Sequence, residues 1–233
     1  INRSGNDPSI GRKHFAVKKA HEENNDQLRE MAHQVAVNAA RESQAPVLFF
    51  EASTRLAGVS LNAAYSLLSS WSLRLQGVPV IHLFCDRAMS SCVLGTSRKL
   101  NPDKLPCAAC MQQSDSLYAE SEAVRVQFHS DPAFEAAIAP LALDGCLGFR
   151  FKGLPLGELI TPSLRWILRR HNLEKEPLTL RIAKDYLRSA WSLAGEISHV
   201  IDGLKPQCMV VFNGMQYPEA TARFVARQKG LKV

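Results

Sequence analysis

Two stretches of the chain repeat one pattern: an apolar run of strand length, a polar turn, an amphipathic helix and another apolar run. The first begins at Val47-Leu48-Phe49-Phe50-Glu51-Ala52 and passes through a polar loop from Ser53 to Gly58. A helical period follows through Leu61, Ala64, Leu67, Leu68, Trp71 and Leu75, and the unit closes on Val78-Pro79-Val80-Ile81-His82-Leu83-Phe84. The second runs from Cys208-Met209-Val210-Val211-Phe212 through Asn213-Gly214 into a helical pattern. There Ala222, Phe224, Val225 and Ala226 alternate with Arg223, Arg227 and Lys229, and Leu231-Lys232-Val233 starts a new apolar run. Continuous apolar strands separated by helices are the mark of parallel βαβ units, whose strands are covered on both faces. Gly77 and Gly230 stand where a helix C-terminus favours a left-handed residue. Pro79 stands at a strand start, where a missing amide is tolerated. The second unit stops in its last strand, so the chain reads as part of a longer protein.

The surrounding pattern divides the chain at Pro46. Residues 1–12 are polar with Gly5, Pro8 and Gly11 and predict a loose arm. Leu28, Met31, Ala32, Val35, Ala36 and Ala39 then recur at helical spacing within 14–44, so 1–46 is an arm plus an amphipathic helix. Residues 47–233 form the domain. Within it, 85–112 interrupt the periodicity with cysteines, 113–144 are weakly helical, 145–162 form a Gly- and Pro-rich connector, and 163–171 and 178–204 are helical. The predicted fold class is α/β: a Rossmann-like parallel sheet flanked by helices, with a cysteine-rich insertion.

Composition adds mainly exclusions. Of 233 residues, 46% are hydrophobic and 21% charged, which is ordinary for a globular protein, and no apolar run reaches membrane-span length. A net charge of +6 admits anionic ligands. Yet the basic residues are scattered, and the groups Lys18, Lys19 and Arg165, Arg169, Arg170 read as solvated helix faces. Without a zinc-finger pair or an aromatic RNA-binding signature, no specific nucleic-acid partner is expected. No dinucleotide fingerprint, Walker loop or nucleophile elbow occurs.

Two constellations carry candidate chemistry. A parallel sheet gathers the loops after its strands on one rim, where ligands of such folds bind. That rim would hold Glu51, Thr54, Arg55 and Gly58 after the first strand, Asp86 after the second, and Asn213, Gly214, Tyr217 and Glu219 after the third. Carboxylates, carboxamides and free amides at helix N-termini suit sugars and phosphates, though turns and caps use the same residue types. The other constellation is Cys85, Cys92, Cys107 and Cys110. The Cys107-x2-Cys110 half has the spacing of adjacent corners in a structural zinc site, and Cys92 supplies a third ligand. Cys85 completes it, or Asp86, His82 or His129 does; a disulfide or simply packed thiols are the alternatives.

At these residues the chain resembles the N-terminal half of capsule-type surface-polysaccharide glycosyltransferases of the GT-B architecture. The resemblance rests on Val47 to Asp86, on Cys92-Val93-Leu94-Gly95-Thr96 with Leu105-Pro106-Cys107-Ala108-Ala109-Cys110, on Gly153-Leu154-Pro155-Leu156-Gly157 with Ser163-Leu164-Arg165, and on Lys205-Pro206 through Glu219. It implies two Rossmann-like domains facing a cleft. This one would receive a carbohydrate or lipid-linked acceptor, and a C-terminal domain would hold the nucleotide sugar. In an inverting enzyme, Asp86 or Glu219 would be the base that takes the acceptor proton. The resemblance also implies a bacterial, cytoplasmic setting, with peripheral association at the inner face of the membrane. The family's glycine-rich acceptor loop is replaced here by Glu51 to Gly58. Two rival functions fit the same patterns: a zinc-stabilised interaction module without catalysis, and another sugar-nucleotide enzyme such as an epimerase.

Overall fold

The computed structural model describes residues 8–40, 44–52, 58–96, 98 and 105–233, with side chains described from residue 18 onward. Its elements are α1 (Pro8–Asn38), β1 (Val47–Glu51), α2 (Leu61–Leu75), β2 (Val80–Cys85), α3 (Cys107–Leu117), β3 (Glu122–Val126), α4 (Pro132–Ile138), α5 (Leu143–Leu147), α6 (Leu156–Leu168), α7 (Pro177–Leu204), β4 (Cys208–Val211) and α8 (Tyr217–Gln228). The strands form one sheet in the order β3-β2-β1-β4. Every pairing is parallel, with Val47 opposite both Val80 and Cys208. Beyond β4, Lys232 makes a single parallel bridge to Cys208. Both βαβ units therefore share one sheet, and the fold is a Rossmann-like α/β layer structure.

Strand alternation sends successive side chains to opposite faces. Leu48, Phe50, Leu83 and Met209 enter a large core with Ile160 and Leu164 of α6, Tyr186, Leu193 and Ile197 of α7, and Val225 of α8. On the other face Phe84 joins Ala63, Leu67 and Trp71 of α2, Leu117 of α3, and Ala32 and Val35 of α1. The crossovers through α2 and α3 thus lie on one face. The long connection α4 to α7, and α8 after it, lie on the other. The chain changes faces between β1 and β4, which opens a crevice at the carboxyl ends of those two strands.

The structure corrects four boundaries. α1 begins at Pro8, inside the stretch expected to be an arm, and ends at Asn38, well before Pro46. β3 occupies part of the stretch read as weakly helical. Its sequence is Glu122-Ala123-Val124-Arg125-Val126 and only Val126 is buried, so this edge strand carries no apolar run to betray it. It is held by backbone pairing to β2, extended by a hydrogen bond from Asp86 N to Val126 O (2.8 Å). α5 and α6 replace most of the expected connector. At Gly157 a Cβ would meet Leu147 O at 2.2 Å, so this glycine permits close helix packing rather than a loop. Among the described residues no helix is long and apolar enough to cross a membrane.

Candidate active site at the β1–β4 crevice

β4 leaves the sheet through Phe212 into Asn213 and Gly214, both with positive φ (38° and 66°). Gly214 N donates to Phe212 O (2.5 Å), and Met215 N donates to Asn213 Oδ1 (2.9 Å), an Asx turn that reverses the chain into α8. Glycine is required at 214: beyond its φ, a Cβ would lie 2.9 Å from Arg223 Cδ. Pro218 sits in the first turn of α8, where its missing amide costs nothing, and Glu219 follows it.

Two buried carboxyl groups, Glu51 at the end of β1 and Glu219 in the first turn of α8, are close enough to couple electrostatically, though only Glu219 lines the crevice. Glu219 is pushed up to about 7 by burial; its own backbone amide pulls the other way, and the charge of Glu51 adds to the rise. Glu51, the last residue of β1, is also pushed up to about 7 by burial, against the hydroxyls of Ser66 and Tyr118, which favour its ionised form. Its side chain is 10% exposed, and its Oε1 lies 3.9 Å from His82 Nδ1. His82 is fully buried, and burial, with Arg74 second, drives it down to about 3. At neutral pH the imidazole is therefore uncharged, and the contact is not an ion pair. Glu51 Oε1, Glu219 Oε2 and both His82 nitrogens find no hydrogen-bond partner among the described residues. Buried carboxyls with an unused oxygen and a pKa near neutrality can take up or release a proton at physiological pH.

Glu219 opens onto a cleft of about 250 Å³, lined also by Asn62, Trp166, Phe212, Asn213 and Gln216. Trp166 is 58% and Phe212 48% exposed, so two aromatic surfaces face solvent beside amides and a carboxyl. Gln216 is fixed by a hydrogen bond from Ser163 Oγ to its Oε1 (2.7 Å), and Ser163 Oγ in turn accepts from Tyr217 N (2.7 Å). Flat apolar surface flanked by amides and a proton acceptor matches the alternating C–H faces and hydroxyls of a carbohydrate.

The other expected rim residues are dispersed. Asp86 Oδ2 accepts from Gln127 Nε2 (3.0 Å) on the β3 side, one strand away, and does not line the cleft. Tyr217 is fully buried; its hydroxyl donates to Ser91 O (2.6 Å) and its ring packs 4.4 Å from that of Tyr186. It has no free surface to offer a ligand and instead supports the wall behind the cleft. Gly58 O accepts from Gln113 Nε2 (3.0 Å), and the position lies against His21, between α1 and α3. Thr54 and Arg55 lie outside the described residues. Cys85, Cys92, Cys107 and Cys110 do converge, around a separate small cavity. Among the described residues, however, no three histidine, cysteine or carboxylate groups are already spaced as ligands of one ion.

Sequence reasoning missed Asn62, Trp166, Phe212 and Gln216, and offered His82 only as an alternative metal ligand. His82 carried a faint signal, a polar residue inside an apolar strand. Trp166 carried none, because only the packing of α6 against α8 brings it to the rim. Compared with known proteins, the chain matches no family model and no curated protein.

Proposed function

We propose that this chain is the acceptor-side domain of a glycosyltransferase. The parent enzyme would move a sugar from a nucleotide sugar, held by a C-terminal Rossmann-like domain, to a carbohydrate or lipid-linked acceptor in surface-polysaccharide synthesis. The observation that carries this reading is Glu219, whose carboxyl is poised near neutrality on a cleft bearing Trp166 and Phe212 at the crevice of a parallel sheet. In this reading the acceptor sugar stacks on the aromatic surfaces, and Asn62, Asn213 and Gln216 bind its hydroxyls. Glu219 removes the proton from the attacking hydroxyl as the sugar–nucleotide bond breaks. Asp86 is the weaker candidate for that role, since Gln127 holds it away from the cleft. The four sequence stretches that resemble capsule-type enzymes support the same assignment.

The test uses the protein together with its donor domain. Glu219→Gln should lower kcat by about 10²- to 10⁴-fold, the usual worth of a positioned base, while Asp86→Asn stays close to wild type. Near-normal turnover in Glu219→Gln would remove the base assignment. Residues 1–233 alone should transfer no sugar, because donor and acceptor must be held together in a near-attack geometry. Transfer by this chain alone would overturn the division of labour between two domains.

A further inference from the structure

We propose that Cys85, Cys92, Cys107 and Cys110 bind one thiophilic d10 metal ion, with Zn2+ the reference case. This inference does not rest on the sugar-transfer reading. Spacing suggested these residues, and the fold adds three observations that spacing could not supply.

The four thiols come from three separate segments: the end of β2, the loop that follows it, and the first turn of α3. Yet they line a single cavity of about 20 Å³, which has room for one small body. The rest of its lining is largely sulfur and hydrocarbon, including Met89, Met111 and Leu94. Among the described residues no carboxylate or imidazole contributes, whereas soft sulfur favours Zn2+ or Cu+.

The charge of bound thiolates also has partners in place. Ala88 N donates to Cys85 Sγ (3.4 Å) and Gly95 N donates to Cys92 Sγ (3.1 Å). The Arg87 guanidinium lines the same cavity as Cys107 and brings a positive charge to it. Such outer partners orient sulfur ligands and offset their charge. Gly95 makes the arrangement possible: a Cβ there would lie 2.8 Å from Leu105 Cδ2, 3.0 Å from Pro106 Cδ and 3.2 Å from Cys92 Sγ. Any side chain would wedge the Cys92 loop away from the segment that delivers Cys107.

The sulfurs stand around the wall rather than at ligand spacing, so binding an ion requires them to draw together. Each coordinating thiol releases its proton to solvent as the metal–sulfur bond forms, with no change of oxidation state. Ala52, Met89, Cys92 and Leu94 line this cavity and the acceptor cleft alike. A bound ion would therefore brace the wall that the two share.

The purified protein, kept reduced, is analysed for metal and titrated with Zn2+ and, separately, with Cu+. We expect one ion per chain. Affinity should fall by at least about tenfold in Cys107→Ser/Cys110→Ser, since even an outer partner's removal costs that much. It should be unchanged in Cys146→Ser and Cys208→Ser, which lie outside the cavity. Should the double variant fail to fold, Co2+ substituted into the wild-type protein reports thiolate ligation through charge-transfer absorption. Failure to bind either ion stoichiometrically, a Co2+ spectrum without thiolate bands, or disulfides joining the four cysteines in the protein as isolated would each overturn the proposal.

Discussion

The two faces of the sheet are built to different standards. On the α6–α7–α8 face the core is large, and several of its buried polar groups are hydrogen-bonded: Thr221 Oγ1 to Tyr217 O, Ser189 Oγ to Asp185 O, Ser192 Oγ from His129 N, and the Tyr217 hydroxyl to Ser91 O, while Glu219 Oε2 at the cleft has no partner among the described residues. On the α1–α2–α3 face the core is small. There Trp71 Nε1, both His82 nitrogens and Glu51 Oε1 are buried with no partner among the described residues. The outer side of α2 leaves Leu61 (90% exposed), Tyr65 and Leu68 in solvent. Buried polar groups without partners cost stability, and they persist where packing elsewhere holds the fold. The first face carries the larger core, and burial in the second raises the Glu51 carboxyl.

The contrast breaks most visibly in the large core. Phe134 is 1% exposed and packs against Phe149, Phe151 and Trp191. Phe134→Ala should cost about 3–5 kcal/mol in urea denaturation. A loss within the range of a surface substitution would mean that this face does not hold the fold.

The carboxyl pair gives the next effect, with a definite sign. Glu51 and Glu219 keep their protons to about pH 7 in the fold, against 4.5 as the ordinary value. Between those limits the unfolded chain binds fewer protons, so stability falls as pH rises, with the full penalty present above about pH 7. His82 acts oppositely. With a folded pKa of about 3 against 6.5, it costs stability as pH falls from 6.5. Each group changes stability by about 1.4 kcal/mol per pH unit. Two carboxyls against one imidazole therefore leave a net loss on the order of 3 kcal/mol from about pH 5 to pH 7. The Glu51→Gln/Glu219→Gln variant should lose that decline; an unchanged slope would assign it to other groups.

The smallest effect is the sharpest test of the second face. Removing a buried polar group that has no partner should stabilise. His82→Leu, within the ring cluster of Phe49, Phe84 and Tyr118, should raise stability by about 1 kcal/mol. A large destabilisation would show that the imidazole makes a contact worth more than its burial costs.

Much of the architecture was legible because local chemistry states it. Val47-Leu48-Phe49-Phe50 and Met209-Val210-Val211 are apolar on both faces, which marks parallel strands covered by helices; β1 is interior and β4 ends the sheet. Gly214 and Gly230 have the positive φ that ended a strand turn and a helix. β3 was not legible, since an edge strand with one buried residue is defined by its neighbour's backbone. The first half of α6 was not legible either: Gly157 and Pro162 read as breakers, whereas the helix uses the first for close packing and carries the second within it, and only its residues from Ser163 on read as helix.

The sequence by itself determined the parallel βαβ units, the carboxyl at each strand-end turn, and the clustering of four cysteines. Those follow from periodicity, turn chemistry and spacing, which act over a few residues. Only the tertiary structure decided that Glu219 lines the cleft and feels the charge of Glu51 while Asp86 stands outside it, that Tyr217 is sealed in the core, and that Trp166 faces the cleft. The reason is that strand order and crossover face set which distant residues meet, and burial among those neighbours, not residue type, sets a carboxyl's pKa.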